Sequence, residues 1–261
     1  SLPLRHGGTP MKGTLVFGMM TLRMLFRRRT PWGILIMVLL ALLGLALVPG
    51  FSVENQGRFV LDFGLSGIEI GALVMALGLA ANLFPRDREQ RTVMPLVAVP
   101  LARWQYLAGR FMGAALVQAA ALLAGCLGLA AILLARGLPV PGDLFPATLL
   151  IVVEGWFLLA TVFFLSFFVS PPLNWPLTII LFVLSQMSVR DFVNLVPSRP
   201  GLMRGIRLLL PHADVFHIKD PLAHGFQVPP EFFLLAVFYG LCYTAFMLSL
   251  ALAVFQSRDL K

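Results

Sequence analysis

The chain has 261 residues, 59% of them hydrophobic and 12% charged, and its mean hydropathy is +0.88. Soluble domains average about 45–50% apolar and about 25% charged residues, so this composition excludes an ordinary cytosolic enzyme, a disordered tail and a fibrous protein. The net charge of +8 is carried by arginine, 17 of 20 basic residues, and most of these flank apolar runs, which points to lipid headgroups and membrane orientation and away from nucleic acid.

Met11-Lys12 reads as a natural start, which makes residues 1–11, with Gly7-Gly8-Thr9-Pro10, a disordered or foreign extension of a single domain over 12–261. Residues 12–29 pattern as a short helix on the membrane surface. Leu15, Phe17, Met19, Leu22, Leu25 and Phe26 face lipid, and Arg27-Arg28-Arg29 close it. The apolar run after those arginines is too long for a signal peptide, and no A-x-A site follows it. A spanning helix needs about 20 apolar residues. Six runs qualify: 32–48, 63–84, 111–134, 145–169, 171–189 and 232–255. Between the fourth and fifth, Ser170-Pro171-Pro172-Leu173-Asn174-Trp175-Pro176 predicts a tight turn, because each proline removes a donor and restricts the residue before it. The fold class is therefore an all-α polytopic membrane protein, six transmembrane helices preceded by an amphipathic surface helix.

With six spans the termini share one side, which holds 13 Lys and Arg against 7 on the other. The positive-inside rule places both termini and the 85–110 loop in the cytoplasm and the 190–231 loop outside. In that outer loop Leu202, Ile206, Leu209 and Leu210, with Arg204 and Arg207, pattern as a short amphipathic helix.

Cys126 and Cys242 each stand alone in an apolar run, with no disulfide framework and no CxxC pair. Gly64-Leu65-Ser66-Gly67 spells the GxSG found around the nucleophile of rhomboid-type intramembrane proteases. Such a serine needs an embedded histidine, and His6, His212, His217 and His224 all fall outside the predicted spans. An intramembrane hydrolase using Ser66 is thus an alternative reading, and a non-transporting assembly scaffold a third. The simpler account of the glycines is close helix packing at Gly67-x-x-x-Gly71. No Walker A motif is present, since Lys12, Lys219 and Lys261 follow no phosphate-cradling loop, so any ATP is bound by another chain.

Glu69 and Glu154 fall inside spans, where a charge costs roughly 2.5–3.5 kcal/mol. Glu69 is expected near the outer end of its span, solvated there. Glu154 is deeper and is the stronger candidate for facing a pathway or partner helix. His212, His217 and His224, with Asp214 and Asp220, are residue types that hold Cu²⁺ or Zn²⁺. Their His-x4-His-x6-His spacing matches no tight motif, and the loop is expected to fold as an outer cap.

The most informative stretch is Arg86-Asp87-Arg88-Glu89-Gln90-Arg91-Thr92, then Met94-Pro95-Leu96, Pro100-Leu101-Ala102-Arg103 and Tyr106-Leu107-Ala108-Gly109-Arg110. It resembles the first cytoplasmic loop of ABC-2 type transporter permeases: an acidic residue before a Gly-Thr pair, a leucine-rich short helix, Pro-x-x-Arg, and a Gly-Lys opening the third span. It departs at Arg91, where Gly is expected, at Pro95, and at Arg110, where Lys is expected. The ending Phe255-Gln256-Ser257-Arg258-Asp259-Leu260 resembles the family's Phe-x-Arg-Arg-Asp-Leu tail. Within the family the chain resembles the branch linked to maturation of copper enzymes such as nitrous oxide reductase.

The resemblance implies the transmembrane subunit of a bacterial inner-membrane exporter, not itself an enzyme and with no cofactor of its own. Two permease copies, a homodimer or a heterodimer, would enclose the pathway, and two ABC ATPase subunits carrying ATP and Mg would dock below. It also implies an ATPase-coupling element of Glu89, Thr92, Met94, Leu96, Val97, Val99 and Arg103, with Glu89 paired to Arg27, Arg28 or Arg29. The residues add their own argument, since Met94, Leu96, Val97 and Val99 are apolar side chains in a cytoplasmic loop and need a groove to cover them. A lining of Leu, Phe and Met suits lipids, drugs and lipid-linked sugars alike.

Overall fold

The computed structural model describes residues 18–21, 23, 53–89, 103–187, 213–216 and 229–257, and every regular element among them is helical. In chain order these are α1 (Val53–Glu89), α2 (Arg103–Ala135), α3 (Leu144–Leu165), α4 (Pro171–Gln186), a 3-10 turn at Ala213–Phe216, and α5 (Pro230–Ser257). Four stretches are long and apolar enough to cross a bilayer: Gly57–Leu79 in α1, Trp104–Ala135 in α2, Leu144–Leu165 in α3 and Pro230–Phe255 in α5. The hydrocarbon core offers the backbone no water to bond, so helices that satisfy their own amides are how such sequences span it. The chain is a helical membrane protein.

The expected span at 32–48 lies outside the described residues. The expected span at 171–189 is the 16-residue α4. At 1.5 Å per residue it reaches about 24 Å, short of the ~30 Å hydrocarbon core. The predicted proline turn also moves. The chain reverses at 166–170, where the Ser166 and Phe168 amides donate back to Val162 and Leu165. Pro171 and Pro172 open α4 instead of breaking it, because a helix's first amides have no intrahelical acceptor to lose. Pro176 lies inside α4.

Two apolar clusters show how the helices run. One joins the end of α1 (Leu73 to Leu79), the start of α2 (Tyr106 to Val117), the end of α3 (Phe157 to Phe163) and Ala251 and Phe255 of α5. The other joins the start of α1, the end of α2, the start of α3, the 3-10 turn and Ala236 of α5. Thus α2 is antiparallel to α1, α3 and α5. The polar end of α1, Arg86 to Glu89, the Arg103 start of α2 and the C-terminal end of α5 share one side. The 3-10 turn closes the other side, Phe216 lying where only a glycine at 240 leaves it room.

α3 is the hub. It packs on α1, α2, α4 and α5, and 16 of its 22 residues are buried, as its all-round apolar surface requires. α5 lies at the other extreme, with Leu234, Leu235, Phe238 and Phe246 exposed for lipid to cover. At the N-terminus, Gly18 to Thr21 and Arg23 are helical, in keeping with the surface helix read at 12–29. Met19 and Met20 are exposed while Thr21 is buried against Gly113 of α2. A side chain at 113 would strike Thr21 and the Gly18 carbonyl, so this crossing needs a glycine.

Gly67 does not play the packing role expected of it. Among the described residues a Cβ there would meet nothing within 4 Å, whereas the close approach falls one turn earlier, at Gly64 against Leu129. The reason is rotation. Residues 64 and 68 face the core, and 67 turns away.

Candidate functional site

Between the two apolar clusters the molecule places polar side chains from four helices. Glu69 of α1 is 8% exposed and Glu154 of α3 is 2% exposed. Gln186, the last residue of α4, donates from Nε2 to Glu69 Oε1 at 3.1 Å and to Glu154 Oε1 at 2.9 Å. A primary amide carries two hydrogens, so one nitrogen serves both carboxyl groups. The two acceptor oxygens are therefore within about 6 Å of each other.

Gln118 of α2 is fully buried beside them and donates from Nε2 to the Ala72 carbonyl at 2.8 Å. Ala72 is one turn along α1 from Glu69, and the same amide rests on Gly155, next to Glu154. A Cβ at 155 would stand 2.8 Å from Gln118 Nε2, so the glycine is what admits the amide to this seam. Gln118 Oε1 is buried and accepts no hydrogen bond among the described residues. Trp156 ties the same level together, its indole donating to the Ala115 carbonyl at 3.0 Å.

α4 is tied to the rest of the bundle by Asn174 near its start and by Gln186 itself at its end. Near its start Asn174 Nδ2 donates to the Val162 carbonyl at 3.3 Å, and the Thr178 hydroxyl donates to Asn174 Oδ1 at 3.2 Å. At its end the Ser185 hydroxyl donates to the Phe182 carbonyl at 2.7 Å. Met187 then turns to an extended conformation and the helix stops. Its C-terminal carbonyls, the negative end of the helix dipole, thus finish beside two carboxyl groups.

The expectation that Glu69 is solvated near an outer helix end is corrected. α1 begins ten residues before the predicted span, and Glu69 sits at the middle of Gly57–Leu79 and is buried. Glu154 lies at the middle of α3, as read. The sequence reading took the two acids separately and missed Gln118, Asn174 and Gln186. An amide inside an apolar run is the signal for them, since such groups tie spanning helices together.

Ser66 is half-buried on α1, one turn before Glu69. His6, His212, His217 and His224 lie outside the described residues, so the histidine that the hydrolase alternative needs is not among those described. Asp220 also lies outside, and Asp214 lies in the 3-10 turn. Among the described residues no three His, Cys, Asp or Glu side chains gather as a metal site. Cys126 is buried and Cys242 exposed, both free. Glu89 ends α1 and Arg103 starts α2, while Thr92, Met94, Leu96, Val97 and Val99 lie outside the described residues.

The chain matches no protein-family model and no curated protein. Its function has to be argued from its own residues.

Proposed function

We propose that this protein is the transmembrane subunit of an ATP-driven ABC-2 type exporter of the bacterial inner membrane, with ATP hydrolysed by a separate chain. The observation that carries the reading is the length of α1 and α2, with α1 continuing past its apolar stretch to Glu89 on the side where α2 begins. At 37 and 33 residues they run to roughly 55 and 50 Å, well beyond the hydrocarbon core. That continuation carries Arg86, Asp87, Arg88 and Glu89, and α2 starts on the same side at Arg103, with Arg110 inside its apolar stretch. Rigid helices projecting from the bilayer would hold the apolar 92–99 link against a soluble partner and carry its movement to the spans. The helical residues 18–21 pack on α2 at Gly113, close to the same side, where the elbow helix of such a permease would lie. Two copies would enclose the pathway, each with its own ATPase.

The test is Val97→Glu. A charge placed in an apolar groove without a partner costs several kcal/mol, so co-purification of the ATPase encoded beside this chain should fall more than tenfold. Unchanged recovery, with unchanged stimulation of ATP hydrolysis, would overturn the proposal.

A further inference from the structure

We infer that the chain between α4 and α5 re-enters the membrane. Its 3-10 turn, locked by Phe216 between α3 and α5, clamps the end of α4 near the middle of the bilayer. Two hydrogen bonds fix how α4 lies along α3. Asn174, near its start, donates to the Val162 carbonyl, and Gln186, its last residue, donates to Glu154. α4 therefore runs back along α3 and stops near the level of Glu154. From there α3 extends ten residues further, to Leu144, about 15 Å at 1.5 Å per residue. Met187 is extended, so α4 itself does not cross that distance.

The 3-10 turn stands at the same depth. A Cβ added at Gly240 would strike Val153 and would come within 2.9 Å of the Phe216 ring. Gly240 lies ten residues into α5 and Val153 nine residues into α3. The ring is thus about 14–15 Å inside the ends where both apolar helices begin. Against a hydrocarbon core of ~30 Å, that is its middle. A cap resting on the membrane surface would meet the first turns of these helices instead.

Non-helical backbone is tolerated at such depth only inside protein or beside water. Ala213 is fully buried and Phe216 nearly so, which places the turn inside protein. It packs on α3, α4 and α5. At that depth the part of α4 within its reach is the end that carries Gln186. Phe216 is the lock: its ring lies 6.1 Å from that of Tyr239 and against Gly240, where a larger residue would push it out. Withdrawing the ring would free the end of α4, and with it the Gln186 bridge. The clamp is built without the α1–α2 link, so it stands or falls apart from ATPase docking.

The experiments use the full chain in lipid nanodiscs, without an ATPase. Phe216→azidophenylalanine, on photolysis, should attach to residues 236–244 of α5 or 150–157 of α3, mapped by peptide mass spectrometry. Attachment at 229–234 or 144–147, the starts of those helices, would overturn the inference. The clamp itself is read at the buried Ser185, as Ser185→Cys in a Cys126→Ser, Cys242→Ser background. Its reaction with a water-soluble methanethiosulfonate should be slow in this parent and about tenfold faster with Phe216→Ala. Gly240→Ala, whose methyl group collides with the ring, should act alike, whereas Phe216→Leu keeps the slot filled and should stay near the parent rate. Rates unchanged by both alanine variants, or already fast in the parent, would overturn the inference. Should one alanine variant fail to fold, the other and the photolysis result decide.

Discussion

Glu154 shows what a single residue costs and requires in this molecule. A carboxyl group at the centre of the most buried helix accepts a hydrogen bond from Gln186, and Gly155, the next residue, leaves room for the Gln118 amide that ties α2 to α1. Each of these depends on which way a side chain turns, and α1 gives a sharp test of that. Gly64 and Gly67 lie less than one turn apart. Gly64→Ala would drive a methyl group into Leu129 and should destabilise the protein by about 1–3 kcal/mol. Gly67→Ala meets open space and should stabilise it by up to ~1 kcal/mol through helix propensity alone. Thermal unfolding of the two variants in one detergent would check the contrast, and equal effects would show that the rotation of α1 is wrong.

At the scale of elements, the cores of the spans were legible, because a run of some 20 apolar residues has few fates other than a bilayer. The ends were not. Glu54, Arg58 and Asp62 hide the start of α1 from any hydropathy reading, yet a helix continues through polar residues once it has left the membrane core. That error of ten residues moved Glu69 from the middle of its span to an edge. α4 was misjudged for another reason. Prolines that break a helix in its interior are well placed in its first turn, so Pro171 and Pro172 read equally as a turn or as a start, while Pro176 lies inside the helix. The partners of the two acids were invisible because Gln186 and Glu154 are 32 residues apart, and Gln186 and Glu69 are 117. No local pattern reports such a meeting. Asn174→Ala tests how α4 is held. Removing its bond to Val162 and the acceptor of Thr178 forfeits ~1 kcal/mol. Amide hydrogen exchange in the first turns of α4 should then speed up about fivefold, with α3 unchanged.

For the whole molecule, the C-terminal end of α1, the start of α2 and the C-terminal end of α5 share one side, and the positive-inside rule leads us to expect that side in the cytoplasm. The orientation is open to a direct check. In a Cys126→Ser, Cys242→Ser background, Ala98→Cys should react with a membrane-impermeant maleimide in inside-out vesicles and stay protected in right-side-out ones. The reverse pattern would invert the topology.

The bridge from Gln186 also has a consequence for synthesis. α3 contains fourteen Leu, Ile, Val and Phe residues, each worth about −0.3 to −0.6 kcal/mol at a helix centre, enough to offset its glutamate and let it leave the translocon unaided. Glu69 is already in the bilayer by then, so the two acids meet while the amide that will join them is still on the ribosome. A nascent chain halted between α3 and α4 therefore holds the two acids without the Gln186 amide that joins them. Chains truncated after residue 169 should be cleared by membrane quality-control proteases faster than chains ending after residue 190, and pulse–chase of the two would measure the difference.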